Sequence, residues 1–390
     1  MRACSCSITL LLLLTAGLIL GCRSARVRAR HEGPDQQFTE SIANVYQFGA
    51  VGDGHANDTK ALQQALDSGK RIIQVPKGIY IIRRTLLIDS DTTLRLEKEA
   101  VIRLGDGAAA EAGGDCFLIR NRDFENGNEN ITINGGTWDG NCANNPRGDE
   151  YATNSYGGVG ISFMKVNNLT LQNLTMHNNE SFAIRVGEVD RFRIDNIHLD
   201  HTVIRPNQDG IHVGGFSKNG VIRNISATHA KVPNDDMVAL NADDDVTRHF
   251  NRGMKLGPIQ NILVENVSAK DAYTFVRLLS NTSPIRNVTI RNIRGGCRMY
   301  CLNLNRWRFP KGRGNIENVL LEDVKMSKNP GNSLPLIPVS LSVRKMRIRN
   351  FIRTDHYDNA KTLVIDDAIE ADISVDIRSA AKSKNAEQTN

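Results

Sequence analysis

A six-residue phrase, apolar-x-apolar-x-Asn-apolar, recurs along the chain. It stands as LTLQNL (169–174), FRIDNI (192–197), GVIRNI (220–225), ILVENV (262–267), VTIRNI (288–293), VLLEDV (319–324), MRIRNF (346–351) and DISVDI (372–377), with a related opening copy, ITINGG (131–136). Each copy alternates apolar and polar positions, the pattern of a short strand with one buried face. The polar column runs Asn173, Asn196, Asn224, Asn266, Asn292, Asp323, Asn350 and Asp376, at successive intervals of 23, 28, 42, 26, 31, 27 and 26 residues. No amphipathic helical stretch interrupts the series, so the strands are not joined by crossover helices.

A unit of about 25 residues holding several short strands predicts one coil of a parallel β-helix, in which each coil buries its Ile, Val and Leu only by stacking on its neighbours. The fold class expected is all-β: a single-stranded right-handed parallel β-helix with a short N-terminal capping helix. Asn suits the bend after each strand, because it tolerates left-handed backbone and bonds local backbone groups; a column of Asn can also form a ladder from coil to coil. The Asn-x-Ser/Thr triplets at Asn130, Asn168, Asn173, Asn224, Asn266 and Asn287 arise from this pattern and are read as structural. The 42-residue interval holds either a long loop, with 241–258 the obvious segment, or an extra coil.

An open β-helix end exposes strand edges and needs a cap. Residues 57–68 (NDTKALQQALDS) supply one, with Asp58 or Thr59 as N-cap and Ala61, Leu62, Ala65 and Leu66 as its apolar stripe. Two strand-like blocks follow, 71–82 and 93–104, and then a Gly/Ala-rich loop, 105–114.

The first 21 residues read as an export signal, with Arg2 ahead of an apolar run from Ile8 to Leu20 that is short for a membrane span. The run ends in Ile19-Leu20-Gly21-Cys22, which resembles a bacterial lipoprotein processing site with Cys22 as the lipidated residue; ordinary cleavage near Gly21 is the alternative. Residues 22–44 read as a tether, 45–380 as the β-helix and 381–390 as a disordered tail. The expected location is the outer membrane or cell surface of a bacterium, held there only by lipid, or else secretion. Of seven cysteines, Cys116, Cys142, Cys297 and Cys301 remain in the folded part. In an exported protein they can oxidise, and Cys116–Cys142 with Cys297–Cys301 is the simplest of three pairings. No metal or cofactor is called for, because the cysteines lack zinc-site spacing with histidines. The net charge of +6 fits an acidic polymer as partner. Nucleic acid does not fit an exported chain without a binding motif, and a monomer is expected.

The block from Phe48 to Tyr80, F-G-A-V-G-D-G followed by N-D-T and V-P-K-G-I-Y, resembles the opening of the pectate lyase-like superfamily. GGTWDGN (135–141), Asn207-Gln208-Asp209-Gly210 and Asp235-Asp236-Met237-Val238-Ala239-Leu240 are similar to motifs of glycoside hydrolase family 28, the polygalacturonases. The chain departs from that family in two places. The coil after the Asp pair, KDAYTFVRLLS (270–280), carries no Gly-His-Gly, and Arg298-Met299-Tyr300 stands where Arg-x-Lys is expected. The resemblance implies an inverting glycoside hydrolase acting on galacturonate-containing, pectin-like polysaccharide. Asp235 would protonate the leaving oxygen, and Asp209 and Asp236 would position and deprotonate water. A polysaccharide lyase on the same scaffold, using calcium to acidify the substrate and Arg277 or Arg298 as base, and a non-catalytic glycan-binding surface protein, are the rival readings.

Counting from each bend Asn gives a second expectation. Arg185, Asp209, Asp235/Asp236, Arg277 and Asn303 fall 11 to 13 residues past it, on one outer face of successive rungs. With rungs about 4.8 Å apart, three carboxylates would cluster within roughly 10 Å, flanked by an arginine on each side. Such crowding splits proton affinities, as acid–base work on a glycoside requires. Asn207 is expected to bind sugar or orient a carboxylate, and Arg277 and Arg298 to bind a uronate. His212 reads as structural, His249 as a remote replacement for the missing family histidine, and Asp243-Asp244-Asp245 as a solvated loop. RWRFPKGR (306–313) reads as a loop lining a sugar subsite.

Overall fold

The computed structural model describes residues 41–379, apart from 153, 307, 308 and 310–312. The segments read as an export signal and a C-terminal tail, Cys22 and most of the expected tether lie outside the described residues, as does most of the 306–313 loop.

Among the described residues, twenty-two strands join in one continuous set of pairings, all of them parallel, that winds as a β-helix. The repeated phrase sets the register. Ile133, Leu171, Ile194, Ile222, Val264, Ile290, Leu321 and Ile348 stack one above the other through successive coils, and all are buried. A second column, Leu174, Ile197, Ile225, Val267, Ile293, Val324 and Phe351, runs beside it past the bend. Between the two columns every bend residue has positive φ, from 48° at Asn350 to 60° at Asn173, which Asn tolerates better than most side chains.

The Asn column does form a ladder, and a second ladder lies one bend earlier. In the first, Asn196 donates to Asn173 at 2.8 Å, Asn266 to Asn224 at 3.0 Å and Asn350 to Asp323 at 2.7 Å. In the second, Asn261 donates to Asn219, Asn287 to Asn261 and Asn318 to Asn287, at 2.8–2.9 Å. Asn266 stacks directly on Asn224, so the 42-residue interval is one enlarged coil. Its excess leaves the stack after the strand Asp236–Asn241 and returns at the strand Ile259–Leu279.

The helix Thr59–Leu66 buries Ala61, Leu62, Ala65 and Leu66 at the start of the stack. Asp58 sits at its N-cap but makes no capping bond; its carboxylate accepts instead from the backbone N–H of Val51 (2.7 Å) and Gly52 (3.1 Å), tying down the preceding turn. Three expectations need correction. Ile42–Asn44 is a strand paired with Ile72–Gln74, because the alternating Ile-Ala-Asn can add to the first coil, so the tether ends before it. The Gly/Ala-rich segment holds a short helix, Ala108–Ala112, packed through Ala108 and Ala109. The four cysteines are free buried thiols. Cys297 and Cys301 share the strand Ile285–Asn303, whose rise of about 3.3 Å per residue carries them past bonding reach. Cys116 and Cys142 border the buried Tyr156 hydroxyl, and burial pushes each thiol up to about 11.

Candidate active site

Asp209, Asp235 and Asp236 meet on one face of the β-helix. Asp209 precedes the strand Ile211–Gly214, and the Asp pair opens the strand on the next rung, Asp236–Asn241. The backbone N–H of Gly210 donates to the carbonyl of Asp236 at 2.8 Å, which fixes the two rungs relative to one another. One carboxylate oxygen from each of the three aspartates lies within 4.8 Å of the other two. Asp209 and Asp236 are buried, whereas Asp235 is partly exposed.

Crowding and burial act in the same direction on these groups. Burial first, and then the Asp209 charge, push Asp235 up to about 7, against the pull of Arg277. Burial and the Asp235 charge hold Asp236 well above the carboxylate range. Burial raises Asp209 too, but here a hydrogen bond and charge from His212 oppose it. Asp235 therefore holds its proton toward neutral pH, and Asp209 is the member whose rise a contacting imidazole opposes.

Arg277 is placed as expected, on the rung beyond the Asp pair, with Nη1 4.0 Å from Asp236 Oδ2. Burial would lower its affinity for protons, but the four surrounding aspartates raise it above the usual value, so it stays charged. Arg298 stands farther along the same side. It donates to Asn234 Oδ1 at 2.9 Å and to the Pro233 carbonyl at 3.3 Å, and lies over the Tyr273 ring at 5.4 Å. Asn207, two residues before Asp209 and in left-handed backbone, accepts from Arg147 Nη2 at 3.1 Å.

Arg185 is not beside the acids. Its register partner is His212, and the true column runs Ser162, Arg185, His212, Ala239, Arg277, Asn303. The count from bend Asn misaligned these coils because their bends differ in length. Arg185 is fully buried, bonds Ser162 Oγ and the Phe250 carbonyl, and faces the Phe117 ring at 5.1 Å.

His212 takes the place that Arg185 was expected to hold. Its Nδ1 is 2.7 Å from Asp209 Oδ2 and its Nε2 is 3.4 Å from Asp244 Oδ2. The ring stacks on Phe182 at 4.0 Å with a 10° interplanar angle. Asp244 is thus no freely solvated loop residue, although it is partly exposed; its neighbour Asp243 is buried, its Oδ2 accepting from the backbone N–H of Asn281, Thr282 and Ser283. Despite the opposing effect of burial, His212 and Arg277 hold Asp244 well below the carboxylate range. The sequence spacing gave no hint of the His212–Asp244 pair, because the two are 32 residues apart and meet only through coil register. His249 lies elsewhere, with Nδ1 against the Asp149 carbonyl (2.6 Å) and Ser155 Oγ (2.7 Å). There it helps join the two loops that flank the site; Arg248 binds Glu150 across the same junction at 2.6 Å.

Three convergent carboxylates can hold a cation, and they are the one such trio among the described residues. Arg277, 4.0 Å from Asp236, and a protonated His212 against Asp209 would oppose a divalent ion there.

A family model for glycosyl hydrolases family 28 matches residues 70–329. The chain belongs to this family. A second model, rhamnogalacturonase A/epimerase, pectate lyase-like, matches residues 42–95 and covers the first coils. A probable polygalacturonase of Arabidopsis thaliana is 25% identical over 347 residues, covering 82% of this chain and 69% of that one. The plasmin and fibronectin-binding protein A of Streptococcus pneumoniae is 28% identical over 189 residues, 41% of this chain. The chain spans only 24% of that streptococcal protein, and 11% of a Bacillus phage pre-neck appendage protein that it also matches. Among solved structures, a family 28 exopolygalacturonase of Yersinia enterocolitica superposes with a TM-score of 0.62 at 17% identity, over 83% of this chain and 66% of that one. The pneumococcal surface adhesin PfbA superposes with a TM-score of 0.61 at 16% identity, over 83% and 82%. At such identities the superpositions speak to the β-helix alone. Family 28 membership accounts for the aspartate motifs, while the absent Gly-His-Gly and the tyrosine at Tyr300 set this member apart.

Proposed function

We propose that this family 28 protein hydrolyses an acidic polysaccharide, with Asp235 as general acid and Asp209, assisted by Asp236, activating water. One observation carries the reading: three carboxylate oxygens within 4.8 Å, one of them on a partly exposed aspartate held near neutral pKa. Asp235 keeps its proton at mildly acidic pH and faces the open side, as a donor to a leaving oxygen must. Asp209, ion-paired with His212, is the readiest of the three to act as base. Arg277 and Arg298 supply positive charge on the side of the aspartates, which suits a uronate-containing chain. Inversion at the anomeric carbon is part of the proposal by family resemblance. The carboxylates are closer than the roughly 6.5–9.5 Å usual for an inverting pair, so product stereochemistry is a separate measurement. Export, with lipid on Cys22, belongs to the same proposal and rests on the amino-terminal sequence.

The test is release of reducing ends from polygalacturonate and a panel of acidic glycans, by wild type and Asp235→Asn. Turnover abolished by the substitution supports the reading; no turnover on any substrate, or equal turnover by the variant, overturns it. Proton NMR of the first-formed anomer decides inversion independently of hydrolysis.

For the lyase alternative, Arg277 is kept charged by its aspartate neighbours and so is unfit as a base, whereas burial lowers Arg298 and leaves it the candidate. The likeness to a surface adhesin favours, as a second reading, glycan or protein binding without turnover. Thermal stabilisation by a glycan that is never cleaved would identify that case.

A further inference from the structure

Behind Asp209 lies a group of residues of which hydrolysis as outlined uses only the His212–Asp209 contact. His212 is 1% exposed and sits between two carboxylates, with its ring face closed by Phe182. Asp244 is itself fixed: Asn241 Nδ2 donates to its Oδ2 at 3.0 Å and the Asp245 N–H to its Oδ1 at 2.7 Å. Phe182 is braced in turn by Phe250, edge-on at 5.0 Å, from the loop that leaves the enlarged coil.

We propose that His212 and Asp244 are positioning residues for the hydrolytic site, a fixed imidazolium and its counter-charge that keep Asp209 ionised and aimed at water. This rests on the reading of Asp209 as the base. It explains how the chain works without the family's Gly-His-Gly. Cationic support on the coil after the Asp pair has only Arg277, and a second cation comes from the coil before.

The register makes the arrangement specific. His212 and Arg277 occupy the same column two rungs apart, and the residue between them, on the rung of the acid pair, is Ala239. A small side chain there lets both cations lean over the aspartates without steric conflict. The charged groups around His212 are Asp209 and Asp244 in contact, Asp235, Asp236 and Arg277 beyond them, and Arg185 on the preceding rung, turned away onto Ser162 and the Phe250 carbonyl. Carboxylates outnumber cations, so the imidazole is held charged. Burial alone would lower its proton affinity, yet the two contacting aspartates bring it to about 9.

The experiment uses the full chain, with Asp244→Asn and His212→Gln as variants. Ring-nitrogen NMR reads the charge of His212, carboxyl-carbon NMR reads the titration of Asp209, and kcat/KM is followed from pH 3 to 9. In wild type His212 stays charged through about pH 8. In Asp244→Asn its midpoint falls, the Asp209 midpoint rises, and the acidic limb of kcat/KM moves up by about one pH unit, a loss of about tenfold below the limb. A merely structural role would lower thermal stability or kcat without moving that limb. A neutral His212 in wild type at pH 7, or an Asp209 midpoint unchanged in both variants, overturns the proposal. If no glycan is cleaved, the hydrolase reading falls while the Asp209 titration still decides whether the pair controls its charge.

Discussion

Arg277 Nη1 stands 4.0 Å from Asp236 Oδ2 across one rung, and the Asp235 carboxyl feels the same guanidinium. A charge fixed this close to a crowd of acids sets how readily they ionise. Replacing Arg277 with Met removes the cation, so every carboxyl in the cluster should hold its proton to higher pH. The basic limb of kcat/KM should shift upward, and kcat should drop on the order of a hundredfold as the base becomes harder to ionise. Arg277→Lys keeps charge but not the planar fork and should fall between the two. A pH–rate series on the three proteins checks this; a limb that does not move for Arg277→Met argues that Arg277 serves only to bind.

Asp235 should control the basic limb in wild type. As general acid it is active while protonated, so activity should fall as pH rises through about 7. The linkage to stability has the same sign. The folded state binds this proton more tightly than the unfolded chain does, so stability should decline between about pH 4 and pH 7 as the unfolded carboxyl releases its proton first. Asp235→Asn should lose about 10²- to 10⁴-fold in kcat, and its melting temperature should fall less steeply over that pH window. Calorimetry at four pH values compares the two slopes.

The ladders should be worth more than their hydrogen bonds. Asn224 donates to Asp195 Oδ1 at 2.7 Å, accepts from Asn266 at 3.0 Å, and holds φ at 57°. Asn224→Ala loses two bonds of about 1 kcal/mol each and takes on a left-handed backbone cost of about 1–2 kcal/mol. Asn224→Gly loses the bonds but not the backbone tolerance. Alanine should therefore be the more destabilising in denaturant titration, by roughly 1 kcal/mol; equal values would mean that the bend is not strained.

How much of this could be read from the sequence follows from what each feature depends on. The β-helix was legible because its coils repeat a local pattern, strand then Asn, whose physics is complete within six residues. The aspartate trio was legible because each motif is local, although whether Asp235 and Asp236 could both reach one cleft depended on their place at the start of a strand. The column partner of Arg185 was not legible, since inter-coil register depends on the length of every bend between. His212 and Asp244 were missed for the same reason: either alone reads as a surface or core residue, and only the enlarged coil brings Asp244 back over His212. The Cys297–Cys301 pair failed because proximity in sequence within an extended strand means separation in space.

One position in the apolar column breaks its own rule, and the reason is testable. Gly220 opens the phrase GVIRNI where the other copies between 169 and 351 carry Leu, Phe, Ile, Val or Met, and it pairs with Phe192 on the preceding coil and Ile262 on the next. A Cβ at Gly220 would lie 2.1 Å from Phe192 Cζ and 2.3 Å from its Cε1, so the buried ring fills the space that a side chain at 220 would take. Gly220→Val should therefore destabilise the protein by about 1–3 kcal/mol through overpacking, even though valine is the better strand former. Phe192→Leu alone should also cost stability, by opening a cavity. Combined, the two changes move volume from one rung to the next, and the double variant should be more stable than the sum of the single losses predicts. A coupling near zero in a denaturant double-mutant cycle would mean that the Phe192 ring can turn aside, and that the missing side chain at 220 has another cause.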